Sequence, residues 1–165
     1  MEKIMVVAFR NTVLFVRDME RAKEFYIDVL GQEVSLDLGV NVGFVGGLAL
    51  WERGYVNDLL FEGKMPGDEG VPRMEVYFET TAMKEVARRA EEAGVRFLHP
   101  LTAQPWAQLA VRFYDPDGHL VEVAEPMDAV VLRLADKGLS ADEIAERTML
   151  PMPVVEAFLR GECCD

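Results

Sequence analysis

The sequence is poor in the residues on which several classes of protein depend. Only two of its 165 residues are cysteines, Cys163 and Cys164, and only two are histidines. Because neighbouring cysteines at a terminus cannot form a framework of disulfide bonds, we interpret them as a terminal tail rather than as a redox or metal site. This cysteine usage is typical of a reducing compartment, so we expect a cytoplasmic protein.

Basic residues and long apolar runs are also scarce. The chain has 17 Lys and Arg against 29 Asp and Glu, which gives a formal net charge of −12. A surface of this sign repels phosphate backbones and anionic lipid, so we expect no nucleic-acid partner and no membrane partner. The apolar run at residues 4–9 is too short for the core of a signal peptide or for a membrane span.

What the sequence does contain is one pattern of elements used twice. Residues 11–31 and residues 75–94 each read as a strand, a helix and a glycine that ends the helix. Short apolar runs broken by turn residues follow each unit. A long period used twice predicts two structural halves built around a shared centre, which is a natural place for a ligand.

The apolar periods and turn residues predict the elements of the two halves. The first half is predicted to contain a helix from its N-cap Asp18 to Gly31, and strands within residues 11–16, 33–38 and 42–52. Residues 53–72 are rich in Gly and Pro and are interpreted as a linker with one ordered turn at 56–61. The second half is predicted to contain a helix ending at Gly94, a loop over residues 99–105, and strands over residues 74–79, 95–98, 108–114 and 120–124.

The C-terminal segment is different in kind, because residues 127–161 read as three short helices. The middle helix begins with a capping box at Ser140 and Glu143. The arrangement looks like a helix-turn-helix, but residues 127–165 carry four bases and eight acids, a net charge of −4, and the candidate recognition helix has no base before Arg160. We therefore expect these helices to pack on the main domain or on a second subunit of a homodimer, or to cover the ligand as a lid, rather than to bind DNA.

Two segments carry a resemblance to a known family. They are NTVLFVRDMERAKEFYIDVLG at 11–31 and FYDPDGHLVEVAEP at 113–126. In this order and separation they resemble the vicinal oxygen chelate superfamily, also called the glyoxalase/bleomycin-resistance/dioxygenase family. The resemblance implies an α+β fold with two tandem βαβββ modules that form a curved mixed sheet around a cleft. The implied domain spans residues 1–126, with halves at about 6–52 and 73–126, and the helical extension spans 127–165.

The resemblance also implies four metal-ligand positions, which are Asn11, Ala49, Glu75 and Glu122 in this sequence. Only Glu122 is the residue that the family pattern has at its position. Two carboxylates and an amide form an all-oxygen set that suits Mg²⁺ or Ca²⁺ better than a transition metal. We therefore expect no transition-metal cofactor, with a divalent-metal site on Glu75, Glu122 and Asn11 as the alternative.

Neither histidine is expected to complete a metal site. His119 follows the turn at residues 115–118 and is interpreted as closing that hairpin. His99 precedes Pro100 in the predicted loop and is expected to be solvated.

Strand alternation extends the predicted cleft beyond the ligand positions. Asn11, Val13 and Phe15 are predicted to share one face. Glu75, Tyr77 and Glu79 are predicted to share another. Arg112 is included in the predicted cleft because of a resemblance to the fosfomycin-resistance pattern, in which the residue ten before the final Glu faces the ligand. For the aromatic residues, ordinary core packing remains the alternative. The predicted ligand-binding cleft comprises Asn11, Val13, Phe15, Phe44, Trp51, Glu75, Tyr77, Trp106, Arg112 and Glu122.

Arg112 has two interpretations. A pair of cleft carboxylates without a metal needs a counter-charge, because an unpaired buried carboxylate is costly or becomes protonated. Arg112 would supply it by pairing with Glu122 or Glu75 where a metal would otherwise lie. The alternative is an exposed strand arginine that contributes little.

Three functions follow from these patterns, and the sequence leaves open whether the protein is an enzyme. The first is a glyoxalase/bleomycin-resistance-like protein that binds a small, partly apolar molecule in the cleft without a transition metal. The second is a divalent-metal-dependent lyase, isomerase or dioxygenase that uses Glu75 and Glu122. The third is a protein-interaction module in which the helical extension is the working part.

Overall fold

The computed structural model of the protein describes residues 11–65, 67 and 75–162, apart from the side chain of Leu60. The interpretation of Cys163 and Cys164 and the predicted start of a strand at residue 74 lie outside the described residues. The chain divides into two compact units, residues 1–71 and residues 72–165.

The first unit is a βαβββ module followed by a helix. Its elements are β1 (Thr12–Val16), α1 (Met19–Glu24), a π-helical turn (Phe25–Val29), β2 (Val34–Asp37), β3 (Asn41–Phe44), β4 (Leu48–Glu52) and α2 (Arg53–Phe61). The strands lie in the order β1-β4-β3-β2, with β1 parallel to β4 and the other pairs antiparallel. This connection of a strand, a helix and a parallel neighbour is what the strand–helix–glycine pattern predicts.

Local side-chain chemistry explains where α1 begins and how its face is buried. The Asp18 carboxylate accepts a hydrogen bond from the Arg21 backbone N–H at 3.0 Å, which confirms the predicted N-cap. In the π-helical turn, the ring of Tyr26 is fully buried and lies 5.1 Å from the ring of Phe25 and 5.9 Å from that of Phe44. These aromatic contacts join the helix to the sheet.

Helix α2 corrects the prediction of a linker with a single ordered turn in this region. The carboxylate of Glu52 caps the helix by accepting hydrogen bonds from the backbone N–H groups of Gly54 and Tyr55. Val56 is fully buried, which gives the helix its anchor. The sequence did not indicate this helix because Glu is an unusual N-cap and Gly54 lies in the first turn.

The second unit repeats the module and adds three helices. Its module contains β5 (Glu75–Glu79), α3 (Met83–Glu92), β6 (Phe97–Ala103), β7 (Leu109–Tyr114) and β8 (Leu120–Ala124), with strand order β5-β8-β7-β6. Again the first and last strands are parallel and the remaining pairs are antiparallel. The two modules therefore share one topology, which confirms the predicted α+β class with two tandem βαβββ modules.

Residues 99–103 are part of strand β6, so the loop predicted there is wrong. Strand β6 lies at the edge of its sheet, where the missing backbone N–H of Pro100 costs no ladder hydrogen bond. The pairing with β7 also shifts register between His99 and Thr102, which accommodates the proline.

The three C-terminal helices are α4 (Met127–Asp136), α5 (Ala141–Thr148) and α6 (Met152–Leu159). Their buried side chains form one cluster with Ala107, which lies in the turn before β7; its other members are Val130, Val131, Leu134, Ile144 and Val155. The predicted capping box is present, since Ser140 and Glu143 exchange both hydrogen bonds. Within the described residues, none of the helices is both long and apolar enough to span a membrane.

The glycine at the end of α3 allows a direct test of the helix stop. Gly94 has a φ of +66°, and an added Cβ would meet no heavy atom within 4 Å, so only backbone strain opposes a side chain there. We expect Gly94→Ala to lower the free energy of unfolding by about 1 kcal/mol and Gly94→Asn to lower it less, because Asn tolerates the left-handed region better. Urea unfolding measures both, and an Ala variant as stable as the wild type would contradict the assignment.

Candidate functional site

The second sheet carries a row of polar side chains that crosses all four of its strands. Strand register places Tyr77 of β5 beside Glu122 of β8, Glu122 beside Arg112 of β7, and Arg112 beside His99 of β6. Residues directly opposite each other in a sheet point to the same face. The row therefore presents a phenol, a carboxylate, a guanidinium and an imidazole side by side.

The other face of the same sheet is apolar and is covered by α3. Val111 pairs with Val123 and Phe113 pairs with Val121, and these four side chains are buried. Helix α3 contacts β6, β7 and β8 and buries Met83 and Ala90. Strand alternation thus gives the sheet one packed face and one face that carries the row of polar side chains, which we call the polar face.

Arg112 holds the polar face together. Its Nε donates to Oε2 of Glu75 at 3.1 Å, its Nη2 donates to Oε2 of Glu122 at 2.5 Å, and its Nη1 lies 3.3 Å from Nε2 of His99. The guanidinium is largely shielded from solvent, and Glu122 is only 4% exposed. The predicted pairing of Arg112 with the carboxylates is confirmed, and both glutamates take part.

The two carboxyl groups that share Arg112 have pKa values displaced in opposite directions. Burial raises the pKa of Glu122, and the hydrogen bond with Glu75 raises it further, so that together they outweigh the nearby charge of Arg112. Burial is also the largest single influence on Glu75 and acts upward, but the hydrogen bonds with Arg112 and Glu122 leave its pKa below the ordinary value. Of the coupled pair, Glu122 is therefore the group that keeps a proton to higher pH.

His99 belongs to the same cluster, contrary to its predicted place in a solvated loop. Its Nδ1 lies 2.8 Å from the carbonyl oxygen of Pro100, which can only accept, and its Nε2 faces the N–H of Arg112. The neutral tautomer with its proton on Nδ1 satisfies both contacts. The sequence gives only a weak signal that His99 lies in a strand, because the following Pro100 favours a loop.

A second group of polar side chains adjoins the row at Tyr77. The Tyr77 hydroxyl donates to Glu79 at 2.9 Å and accepts from Nε2 of Gln108 at 3.2 Å. Gln108 also accepts from the indole N–H of Trp106 at 2.8 Å, so the predicted site residue Trp106 reaches Tyr77 through one intermediate. Burial and the hydrogen bond to Glu79 raise the pKa of Tyr77 to about 12, which keeps the phenol protonated at neutral pH.

Two residues of these clusters are not predicted from the sequence. His99 precedes a proline in a predicted loop, and Gln108 is predicted only as the first residue of a strand. Glu79, by contrast, lies with Tyr77 as strand alternation predicts. Gln108 is 4% exposed and hydrogen-bonded at both amide atoms. The role of Gln108 depends on the geometry of the turn that contains Trp106, so the sequence alone does not indicate it.

The donor set of the polar face does not fit a divalent metal in the observed arrangement. The family pattern implies a metal near Glu75 and Glu122, but the guanidinium of Arg112 lies between these carboxylates and would repel a dication. Among the residues that the structure describes, no group of three or more His, Cys, Asp and Glu side chains is arranged to hold a metal ion.

The residues predicted from the first half fall into two sets in their own sheet. Val13 pairs with Ala49 and Phe15 pairs with Trp51, so these residues share a face. Phe44 lies on the opposite face with Val42 and packs against Tyr26, so its prediction as a cleft residue is wrong and the alternative of core packing applies. Its core position follows from the parity of β3.

Asn11, a predicted metal ligand, is exposed and precedes β1 rather than lying in it. In this unit, therefore, Val13 and Phe15 keep the common face that strand alternation predicts, and Trp51 shares it. Asn11 only adjoins the strand that carries the first two of them.

His119 has the structural role that the turn sequence indicates. The carboxylate of Asp115 accepts hydrogen bonds from the backbone N–H groups of Asp117 and His119 and lies 2.7 Å from Nδ1 of the His119 ring. These contacts fix the turn between β7 and β8, which sets the register of Arg112 against Glu122.

Comparison with known proteins gives matches over most of the chain. The family model described as "Glyoxalase-like domain" matches residues 9–128, which leaves nearly all of the three C-terminal helices outside it. No curated protein matches the chain.

Solved structures give three informative neighbours. A protein of unknown function from Agrobacterium tumefaciens str. C58 is 35% identical, with a TM-score of 0.67 over 74% of this chain and 97% of that one. A lactoylglutathione lyase from Agrobacterium tumefaciens is 27% identical, with a TM-score of 0.51 over 72% and 92%. A member of the glyoxalase/bleomycin resistance protein/dioxygenase superfamily from Sphaerobacter thermophilus DSM 20745 is 27% identical, with a TM-score of 0.54 over 74% and 100%.

The lowered pKa of Glu75 predicts a specific pH dependence of stability. Ionised Glu75 stabilises the folded state above its unfolded-state pKa, and this stabilisation is lost as the pH falls through the lower, folded-state value. We expect Glu75→Gln to reduce the free energy of unfolding at neutral pH, with the difference from the wild type shrinking below a pH of about 4. Urea unfolding between acidic and neutral pH measures the difference.

The control for this experiment is the same substitution in an Arg112→Met background. Without the guanidinium, burial becomes the dominant influence on the pKa of Glu75, so the loss of stability at neutral pH should disappear or reverse. A difference between Glu75→Gln and the wild type that stays constant across the pH range would show that the ion pair does not set the pKa.

Proposed function

We propose that this chain, which belongs to the glyoxalase-like domain family, binds a small, partly apolar molecule on the polar face of its second sheet without a transition metal. The observation that carries the proposal is the row of Tyr77, Glu122, Arg112 and His99, one residue from each strand. A soluble fold gains little stability from aligning four such groups on one face, whereas oriented polar groups are what a binding site needs.

The charges of the polar face favour a ligand that donates hydrogen bonds. Glu75 and Glu79 are exposed, and Arg112 forms an ion pair with Glu75. Glu75 accepts a hydrogen bond from Arg112, and Glu79 accepts one from Tyr77. A carboxylate has about four acceptor positions, so each has further acceptor capacity. An ammonium or other N–H group on the ligand would use that capacity, and the field of a chain with a net charge of −12 would favour its approach.

Tyr77 supplies the apolar part of the proposed site. The residue is 48% exposed while its hydroxyl is held by Glu79 and Gln108, so the ring is available and its orientation is fixed. A phenol ring with a fixed hydroxyl can stack on a flat ligand and attracts a cation to its face. We therefore infer that the ligand is an aromatic or otherwise flat molecule with a basic group.

A matched pair of probes tests this inference. We expect 2-naphthylmethylamine to bind about tenfold more tightly than 2-naphthylmethanol, because the two share an aromatic ring system and differ in the group that would meet a carboxylate. Glu79→Gln should reduce the preference for the amine. Protein NMR measures both affinities and should show the largest shift changes at Tyr77 and Arg112.

The control variant is Glu92→Gln, which lies on α3 at the packed side of the sheet and should leave both affinities unchanged. Equal affinity for amine and alcohol, or shift changes confined to residues away from the polar face, would contradict the proposed function.

The second candidate is a divalent-metal-dependent lyase, isomerase or dioxygenase. The observation in its favour is the coupled pair of carboxyl groups, since displaced pKa values are a property of acid–base sites. The similarity to a lactoylglutathione lyase also supports it. A dication at these carboxylates would first have to displace Arg112.

Removal of Arg112 distinguishes the two candidates. If the guanidinium lies where a metal would bind, Arg112→Met should bind Mn²⁺ more tightly than the wild type, because Glu75, Glu122 and His99 would then face an empty space. Equilibrium dialysis measures both affinities. Tighter binding of Mn²⁺ by the wild type than by the variant would favour the metal-dependent enzyme.

A further inference from the structure

An arginine of the C-terminal helices is hydrogen-bonded to residues at the end of the second sheet. Arg133 of α4 donates from Nε to Oε1 of Glu125 at 2.8 Å and from Nη2 to Oε2 of Glu125 at 2.7 Å. Its Nη2 also donates to the carbonyl oxygen of Ala107 at 2.8 Å. The planar fork of an arginine matches both oxygens of a carboxylate and still has a donor for the carbonyl, whereas the ammonium of a lysine is a point charge without this bidentate geometry.

These contacts clamp the backbone on both sides of Gln108. Before it, the carbonyl of Ala107 is held by Arg133; after it, the N–H of Leu109 donates to Oε2 of Glu125 at 3.3 Å, and the N–H of Glu125 donates to the carbonyl of Leu109 at 2.9 Å. Gln108 lies between two residues whose positions depend on one ion pair.

Ala107 is also in a conformation that needs support. Its φ is +67°, in the left-handed region, where a residue with a Cβ is strained by about 1–2 kcal/mol. The hydrogen bond from Arg133 and the burial of Ala107 against α4–α6 hold it there. Backbone strain that surrounding contacts maintain tends to occur at functional sites, where a side chain needs a fixed orientation. The residue after Ala107 is Gln108.

Gln108 in turn aims two aromatic side chains. Its Nε2 donates to the carbonyl of Glu125 at 2.8 Å and to the hydroxyl of Tyr77 at 3.2 Å, and its Oε1 accepts from the indole of Trp106 at 2.8 Å. Both amide hydrogens and the amide oxygen are therefore used, so the amide has one orientation. A change in the backbone at Gln108 would release Tyr77 and Trp106 together.

We propose that Arg133 is a positioning residue for the polar face. Through Glu125 and Gln108 it fixes the hydroxyl of Tyr77 and the indole of Trp106. The C-terminal helices then serve the site without contacting a ligand. The part of this inference that concerns ligand affinity rests on the proposed function, whereas the part that concerns the hydrogen-bond chain does not.

Hydrogen exchange of the two indole N–H groups tests the chain without any ligand. In the full-length protein we expect Arg133→Met to speed exchange at Trp106 by about tenfold while Trp51 is unchanged, because the loss of one orienting contact frees one hydrogen bond. Arg133→Lys should give an intermediate rate, and Gln108→Met should reproduce the Arg133→Met effect. A Trp51→Phe variant assigns the two indole signals.

The matched control is Arg160→Met, which removes an exposed ion pair with Glu162 at the end of α6. It should change neither exchange rate. If Arg133→Met leaves exchange at Trp106 unchanged, or speeds both indoles equally, Arg133 has no specific positioning role and the inference is wrong.

Affinity for 2-naphthylmethylamine tests whether Arg133 affects ligand binding at the polar face. We expect Arg133→Met and Tyr77→Phe each to weaken binding by about fivefold and the double variant to weaken it no further, because both act on the same hydroxyl. Additive losses would overturn the link. If the amine does not bind the wild type, the proposed function fails, while the exchange rates still decide the hydrogen-bond chain.

Discussion

The arrangement of the polar face depends on the placement of one guanidinium between two carboxylates. Glu122 is almost completely buried, and a carboxyl group in such a position must be paired or protonated. Arg112 pairs with it, with Glu75 and with His99, and so links all four strands of the sheet through one planar group. If Glu75, Glu122 or His99 is removed, the remaining groups still have Arg112 as a partner. If Arg112 is removed, two neighbouring carboxylates have no counter-charge.

The topology of the module makes this placement possible. The parallel pairing of the first and last strands brings Tyr77 next to Glu122, and the antiparallel hairpin brings Glu122 next to Arg112. The turn fixed by Asp115 keeps that hairpin in register. The same order of strands in the first unit aligns Val13 with Ala49 and Phe15 with Trp51, so a common fold carries a polar face in one unit and a more apolar one in the other.

The sequence predicted the fold well where local signals agree with the final structure. Asp18, Gly31 and Gly94 bound their helices as expected, and the predicted vicinal oxygen chelate membership is confirmed by the family match. The prediction failed where tertiary contacts override local preference: Pro100 lies in an edge strand, and Glu52 caps a helix that Gly54 would disfavour.

The candidate site was only partly predictable for a related reason. The resemblance to the fosfomycin-resistance pattern and the need of a buried carboxylate for a counter-charge predict Arg112 beside Glu75 or Glu122, and the structure shows it with both. The contributions of His99 and Gln108 depend on a register shift in β6 and on a strained turn at Ala107, which arise from packing and leave no periodic signal. Phe44 is in the core because the alternation of β3 places it on the face of Val42, away from Gly43 and Ala49.

The central claim, that a guanidinium takes the place of a metal between Glu75 and Glu122, is tested most directly by a crystal structure of the wild-type protein soaked in MnCl₂ and measured at a wavelength where manganese scatters anomalously. The account predicts that Arg112 remains hydrogen-bonded to both carboxylates and that no anomalous peak lies between them. A manganese peak coordinated by Glu75 and Glu122, with Arg112 turned away, would contradict it.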